Sequence, residues 1–464
     1  TGPGGAGLYF KDALDKLGVD VNVFRVGTYK AAVEPFTRTE ASPDAKAANQ
    51  ALVDTLWDVW TGDVQAARPR VKVDAITSNF TDRVRAAGGD FGRQALADGL
   101  VDKIGTYVDF GQAMAKRVGE GESDRPGSYN QVDYRDYLRG TTPLRSRSGG
   151  AVGVVYVSGD IVDGRAGRGT AGGDTIEHLI AEATADENLK ALVVRVDSPG
   201  GSVTASEKIR QALVDAKADG LPVVASFGSV AASGGYWIAT AADEIYAEPS
   251  TITGSIGVFA MIPSFERTLA KVGIGADGVK STPFSGEPDV LQGLSPEVEG
   301  LLQASVENIY RRFTGLVAKA RNLPVARVDQ IGQGRVWAGG TAHQLKLVDH
   351  LGDLDDAVAA AAKRAGLPAD ARVVTIEVQP SLPFQLLESF MEPQEQEQQP
   401  GTDAFARLTR ASQLRAAGSF VAATEVAAGP TMQARCLSCA GMAVDVPSVR
   451  QTQGWLATLA RLVD

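Results

Sequence analysis

The chain has 464 residues, 44% of them hydrophobic, which is enough for two or three domains with cores of their own. Its formal net charge is -10 and no strongly basic block occurs, so the sequence disfavours a protein that binds nucleic acid. No window reaches the roughly 18 apolar residues that a membrane span needs, and we expect the chain as given to be soluble.

Two regions of the chain are related as a diverged repeat. Ser42-Pro43 begins a predicted helix in the first region, and Ser295-Pro296 begins its counterpart in the second. The matched segments are 16–18 with 271–273, 42–60 with 295–313, and 99–102 with 346–349. Only a few residues precede the matches in the first copy, whereas about a hundred do so in the second, so we expect the first repeat to be truncated at its N-terminus.

The repeat predicts the domain organisation. The expected parts are a remnant of the first repeat (1–116), a connection rich in Gly, Ser, Arg and Asp (117–150), the second repeat (151–380), and a Gln/Glu/Pro-rich linker with a helical tail (381–464). Within the last part, 392–401 is expected to be disordered, while 405–426 and 455–463 have helical spacing.

Strand-like and helix-like segments alternate in the second repeat, which indicates an α/β fold of βαβ units with a parallel sheet. The predicted strands are 151–157, 191–196, 222–227 and 244–247, and the predicted helices are 175–185 and 202–218. Three Gly-rich turns follow strand-like sequence, at 198–202, 231–237 and 253–257. Three such turns within about 60 residues are hard to explain as ordinary loops, so they are candidates for a functional site.

Ser233 lies in the second of these turns, between two alanines and two glycines, and is the candidate nucleophile. A serine hydroxyl needs a base within hydrogen-bond reach, and the turn lacks the G-x-S-x-G pattern of the α/β-hydrolases. Two lysines are candidate bases, Lys30 and Lys280, because a buried lysine can lose its proton near neutral pH. The three histidines belong to no recognisable motif: His178, His343 and His350.

Glycines beside Ser233 are candidates for an oxyanion hole. The amides of Gly200 or Gly201, and that of Gly234, are expected at helix N-termini, where N–H groups lack intrahelical partners. A Gly-Gly turn before a helix is also common packing, so the structural alternative stays open for Gly200 and Gly201. Tyr236 and Trp237 are expected to be core residues that anchor the following helix.

Four blocks of the sequence resemble those of the signal peptide peptidase A family, also called protease IV, in its long, duplicated form. They are RVGTYKAAVEPF (25–36), SPGGSVTASE (198–207), AASGGYW (231–237) and STITGSIG (250–257). The resemblance extends over nearly the whole chain to about residue 380, and the late C-x-x-C pair is similar to the tail of that form.

The resemblance implies a serine endopeptidase of the Clp/crotonase fold, with the nucleophile on the second repeat and the general base on the first. In this chain Ser233 is then the nucleophile, Lys30 the base, and Ser255 the residue that orients the lysine amine. No metal or organic cofactor is implied. Two rival functions remain at this point: a crotonase-type acyl-CoA hydratase or thioesterase, and a non-catalytic peptide-binding scaffold.

The resemblance also implies partners and a location. The expected substrates are remnant signal peptides, the expected assembly is a homotetramer, and no nucleic-acid partner is expected. The expected location is the bacterial cytoplasmic membrane, with the body on the extracytoplasmic side and an anchor absent from this chain. Cys436 and Cys439, the two cysteines, are expected to form a local disulfide or to be idle thiols.

Overall fold

The structure, a computed structural model, describes residues 3–4, 7–123, 125–134, 137, 150–167, 169–368, 370–377 and 431–436. The chain divides into two compact units, one of residues 1–55 and 149–464 and the other of residues 56–148. This division falls within a helix, and the predicted boundaries at 116, 150 and 380 stay predictions. The expected disordered segment 392–401 and the helical segments 405–426 and 455–463 lie outside the described residues.

The helices of the described residues are α1 (Lys11–Leu17), α2 (Glu34–Thr37), α3 (Pro43–Ala67), α4 (Val73–Ser78), α5 (Phe80–Ala86), α6 (Phe91–Ala97), α7 (Tyr107–Val118), α8 (Gly173–Ala185), α9 (Val203–Ala218), α10 (Gly234–Ala239), α11 (Glu266–Lys271), α12 (Pro296–Arg321), α13 (Val325–Ile331), α14 (Gly339–Gln344) and α15 (Leu354–Arg364). The strands are β1 (Asp20–Val26), β2 (Ala151–Ser158), β3 (Asp160–Val162), β4 (Thr170–Gly172), β5 (Leu189–Ser198), β6 (Gly200–Ser202), β7 (Val223–Ala232), β8 (Glu244–Ala247), β9 (Ile252–Gly254), β10 (Val258–Ser264), β11 (Val336–Ala338), β12 (His350–Leu351), β13 (Arg372–Ile376) and β14 (Met432–Arg435). A 3₁₀ turn covers Ala31–Val33.

A mostly parallel sheet forms the centre of the unit of residues 1–55 and 149–464. Its strand order within the described residues is β11-β9-β7-β5-β2-β13, with β8 beside β7 and β12 beside β8. Helix α8 connects β2 and β5 through β3 and β4, and α9 connects β5 and β7, so the predicted βαβ units and the α/β class are confirmed. The central strands are rich in valine and almost fully buried, as expected for a parallel sheet covered on both faces.

Alternation along these strands divides the core into two clusters. Val155 and Val194 belong to a large cluster that includes helices α8, α9, α10 and α12, whereas Val154 and Val193 belong to a smaller one beneath α15. Successive side chains of a strand point to opposite faces, so each cluster covers one face of the sheet. An apolar face of α12 packs on the large cluster through Val306 and Phe313 among others.

A second sheet lies at the carboxyl ends of the central strands, and its order in the described part of the chain is β1-β10-β14-β6-β3-β4. Strand β1 pairs with β10 in antiparallel fashion, so that Val26 lies opposite Val258. The short strand β6 follows directly on β5 and pairs with β3. This second sheet therefore brings the segment after β1 to the turns that end β5 and β7.

The unit of residues 56–148 is helical in its described part. The later turns of α3 and the helices α4 to α7 make it up, and Val71, Val73 and Ile76 form its small buried core with help from Trp57 and Leu100.

The predicted repeat is confirmed by an ion pair that recurs in both copies. Arg68, just after α3, donates to Asp102 in bidentate fashion and to the carbonyl of Gly99. Arg321, at the end of α12, makes the same bidentate contact with Asp349 and donates to the carbonyl of Lys346. The two aspartates lie within matched segments of the sequence, whereas their arginine partners lie outside those segments.

Capping supplies a second recurring feature. Thr106 and Asp109 form a capping box at the start of α7, and Asp353 and Asp356 form one at the start of α15. Both helices follow the matched acidic positions of the repeat.

No helix of the described residues has both the length and the apolar composition that crossing a bilayer requires.

Candidate active site

Ser233 occupies the sharp turn between β7, which ends at Ala232, and α10, which begins at Gly234. Its φ of 54° and ψ of -111° are unusual for a residue with a side chain, and such strain is typical of functional sites. Its N–H donates to the carbonyl of Gly254 at 2.8 Å, and its own carbonyl accepts from Trp237 N at 2.8 Å. These two hydrogen bonds hold the serine in its strained conformation.

Small residues around Ser233 are a packing requirement. A β-carbon on Gly234 would lie 2.5 Å from Ser206 Oγ, and one on Gly235 would lie 3.0 Å from the carbonyl oxygen of Ser198. Larger side chains at these two positions would push α10 away from α9 and β5. The Ala-Ala-Ser-Gly-Gly composition that identified the turn in the sequence therefore has a direct steric cause.

Lys30 reaches the same place from the other end of the chain. It lies four residues beyond the last residue of β1, and Ser255 lies three residues before the first residue of β10. Because Val26 is paired with Val258 at that end of the two strands, Lys30 and Ser255 become neighbours. The predicted residues Lys30, Ser233 and Ser255 are thus brought together, and all three are buried.

The contacts of the Lys30 amine define the site. Its Nζ lies 2.9 Å from Ser233 Oγ, 3.1 Å from Ser255 Oγ and 3.2 Å from the carbonyl oxygen of Ser255. Lys30 exposes only 1% of its residue surface to solvent, and Ser233 exposes none. Burial lowers the pKa of Lys30 from 10.5 to about 7, because the charged ammonium loses its hydration there.

A loop between α13 and β11 supports the turn that carries Lys30. The carbonyl of Gln333 accepts from Tyr29 N at 2.8 Å, and the Gln333 side-chain oxygen accepts from Thr28 N at 3.2 Å. A β-carbon on Gly334 would lie 2.7 Å from Lys30 Cα, so only glycine fits. This loop was not predicted from the sequence, where the glycines that flank Gln333 at 332 and 334 are its visible signal.

The other candidate bases are engaged elsewhere. Lys280 forms an ion pair with Glu287, at 2.7 Å, which raises the pKa of Lys280 and keeps it protonated. The three histidines make contacts of their own: His178 with Glu182, His343 with the carbonyl of Val348, and His350 with Glu244.

The oxyanion prediction needs a correction. Gly234 is the first residue of α10, as expected, but Gly200 and Gly201 belong to strand β6 and not to a helix N-terminus. The cause is that β6 pairs with neighbouring strands before Ser202 caps α9. Gly201 is paired with Ile161 of β3. Gly200 lies next to Gly234, because a β-carbon on Gly200 would be 2.7 Å from Gly234 N. The Gly200 N–H donates to Ser198 Oγ at 3.1 Å.

Helix α10 is fixed in place by buried hydrogen bonds. The Tyr236 hydroxyl donates to the carbonyl of Leu347 at 2.7 Å, and Trp237 Nε1 donates to Glu207 at 2.7 Å. Both aromatic side chains are fully buried, as predicted for core residues. Glu207 was not singled out from the sequence, and its contact with Trp237 anchors the helix that begins beside Ser233.

Cys436 follows β14 and is disulfide-bonded, in agreement with the disulfide alternative. The other cysteine of the chain, Cys439, lies outside the described residues.

Comparisons with known proteins identify relatives. Residues 2–120 and 215–368 match peptidase family S49. The chain is 44% identical over 364 residues to Protease 4 of Salmonella typhi, covering 78% of this chain and 58% of that protein. It is 30% identical over 376 residues to the chloroplastic serine protease SPPA of Arabidopsis thaliana, covering 78% and 53%. The chain thus spans little more than half the length of these relatives.

Among solved structures, one similar chain is a mutant of the 1510-N membrane-bound stomatin-specific protease. The match covers 50% of this chain and 100% of that chain, with 16% sequence identity and a TM-score of 0.31. A TM-score of that size is too low to assign a common fold. The family match covers more than half of the 464 residues and includes Lys30, Ser233 and Ser255. This chain belongs to peptidase family S49.

Proposed function

We propose that this chain is a serine endopeptidase in which Ser233 is the nucleophile and Lys30 the general base. The observation that carries the proposal is the 2.9 Å distance between Lys30 Nζ and Ser233 Oγ, in a pocket where both side chains are buried. Family membership, and similarity to relatives named Protease 4 and serine protease SPPA, support the same class of reaction.

Hydrogen-bond counting supports Lys30 as the base. A neutral lysine amine has two N–H donors and one lone pair. The carbonyl oxygen of Ser255 can only accept, and Ser255 Oγ is a second acceptor, so these two atoms take up both N–H groups. The lone pair is then left for the third neighbour, the hydroxyl of Ser233. Ser255 orients the base in this scheme.

The proposed reaction has two stages. Ser233 Oγ transfers its proton to Lys30 Nζ as it attacks the carbonyl carbon of the scissile bond, and the resulting ammonium then protonates the leaving amine. The N–H of Gly234, at the N-terminus of α10 beside Gly200, stabilises the oxyanion. In the second stage a water molecule gives a proton to Lys30 Nζ as its oxygen attacks the acyl carbon, and the ammonium returns that proton to Ser233 Oγ as the ester bond breaks.

The proposal includes the substrate class and the setting. The four sequence blocks shared with signal peptide peptidase A support extended apolar peptides, in particular remnant signal peptides, as substrates. They also support a homo-oligomer, a tetramer, that works at the extracytoplasmic face of a bacterial membrane.

The test is hydrolysis of a quenched-fluorescent apolar peptide by the purified chain, with products identified by mass spectrometry. We expect Ser233→Ala and Lys30→Ala to lower kcat by at least about 10³-fold, because either change removes a member of a unit that acts together. Lys280→Ala is the matched control and is expected to keep the parent rate, since its amine pairs with Glu287. Undiminished cleavage by Ser233→Ala would refute the proposal.

A further inference from the structure

Strand β14 comes from the tail of the chain and lies beside the proposed active site. It is inserted between β10 and β6 and is antiparallel to both. Ala434 is paired with Gly201 and Arg435 with Gly200, and Cys436 N donates to the carbonyl of Pro199 at 2.8 Å. An extended segment of this chain therefore runs along the Gly-Gly strand that adjoins Gly234.

The carbonyl oxygen of Ala434 lies beside the proposed oxyanion site. It lies 2.1 Å from where a β-carbon on Gly200 would be, and 3.1 Å from where one on Gly234 would be. The same hypothetical β-carbon of Gly200 is 2.7 Å from Gly234 N, so oxygen and amide share one small space. This is the space that the scissile carbonyl of a substrate needs in the proposed reaction.

Strand β14 also closes the pocket. Arg435 and Cys436 line a cavity of about 10 Å³ together with Lys30, Ser255 and other residues, a volume that holds no more than one water molecule. Arg435 is almost fully buried and donates to Asp160 at 2.6 Å. With Ser233 wholly buried as well, a second extended peptide has no room beside the nucleophile while β14 is in position.

We propose that residues 431–436 are a built-in occupant of the peptide-binding groove, with Ala434 in the position of the residue before the scissile bond. The inference rests on the proposed function and deepens it. A substrate then binds as a strand between β10 and β6, in place of β14, and a small side chain suits the position of Ala434. The ion pair between Arg435 and Asp160 holds the occupant in the groove.

A charge swap tests this inference in the full chain. Arg435→Asp and Asp160→Arg each put like charges together and are expected to release the strand, which raises kcat/KM for the apolar peptide about tenfold. The double variant restores opposite charges and is expected to return towards the parent rate. The matched control is Lys46→Glu, which disrupts an exposed ion pair with Glu40 and is expected to change nothing.

Three results separate the possibilities. Faster cleavage by both single variants with reversal in the double variant supports the inference. Unchanged cleavage by both single variants, from an active parent, overturns the inference and leaves the proposed function standing. Absence of cleavage in every variant refutes the proposed function, and the inference falls with it.

Hydrogen exchange gives a readout that does not depend on turnover. In Ser233→Ala, saturation with the apolar peptide, verified by fluorescence polarisation, is expected to speed exchange of the 431–436 amides, because the peptide displaces β14. Unchanged protection of these amides in the peptide-bound protein would overturn the inference even if the charge variants were poorly folded.

Discussion

Lys30 and Lys280 show how surroundings decide what one residue type can do. Burial lowers the pKa of Lys30 to about 7, whereas the ion pair with Glu287 raises the pKa of Lys280. Only the first amine can be neutral in a large fraction of molecules near pH 7. In the proposed mechanism, its position against Ser233 and Ser255 directs its lone pair to the Ser233 hydroxyl.

The pKa of Lys30 sets the pH dependence of the proposed reaction. We expect kcat/KM to rise with pH through a midpoint near 7, because the ammonium cannot accept a proton and burial lowers this pKa to about 7. A pH–rate profile on the apolar peptide measures it. A rate that falls as pH rises from 6 to 8 would contradict this role.

The same pKa affects folding. Between about pH 7 and 10.5 the unfolded chain binds a proton at Lys30 that the folded chain does not. The free energy of unfolding therefore increases with pH over that interval. Below pH 7 the folded chain must bury the charged amine, so the destabilisation is greatest there.

At the scale of elements, two strand ends and one loop hold the site. The pairing of β1 with β10 brings Lys30 to Ser255, and the end of β7 presents Ser233. Gly334 in the loop before β11 lies directly against the Lys30 backbone and has a φ of 76°. The position of Lys30, the proposed base, thus depends on a residue about 300 positions away in the sequence.

Gly334→Ala tests this dependence. The added β-carbon would lie 2.7 Å from Lys30 Cα, and the left-handed backbone is strained for alanine, so Lys30 has to shift. We expect kcat/KM to fall about 10²-fold, the size of effect that a displacement of about 1 Å produces at a catalytic group. The control is Gly315→Ala in α12, where an added β-carbon has no atom within 4 Å. Equal rates for both variants would argue against support of Lys30 by this loop.

At the scale of the whole molecule, segments from distant parts of the sequence build one centre. Lys30 belongs to the first of the two repeated regions and Ser233 to the second, and β14 lies later in the chain than both. The recurring ion pairs Arg68–Asp102 and Arg321–Asp349 show that the two copies keep common local structure. Although their local structure is similar, the two copies contribute different side chains to the site, a lysine from the first and a serine from the second.

The sequence predicts those features of the fold and the site that depend on residues close together in the chain. The turn at Ser233 and the βαβ units depend on short patterns, and the sequence reveals both. The assignment of Lys30 came from resemblance, because its partner Ser255 is more than 200 residues away and no local pattern links them. The pairing of β14 with Gly200 and Gly201 was not predicted, since a four-residue strand carries too little pattern to name its partners.

In the proposed mechanism, a neutral Lys30 activates Ser233 within one chain. The most direct measurement is the rate and site of labelling by a small fluorophosphonate, with the adduct mapped by mass spectrometry. We expect a single adduct on Ser233, formed faster as pH rises through about 7, and labelling at least about 10²-fold slower in Lys30→Met, which fills the pocket without a base. An adduct on another serine, or undiminished labelling in Lys30→Met, would contradict the claim.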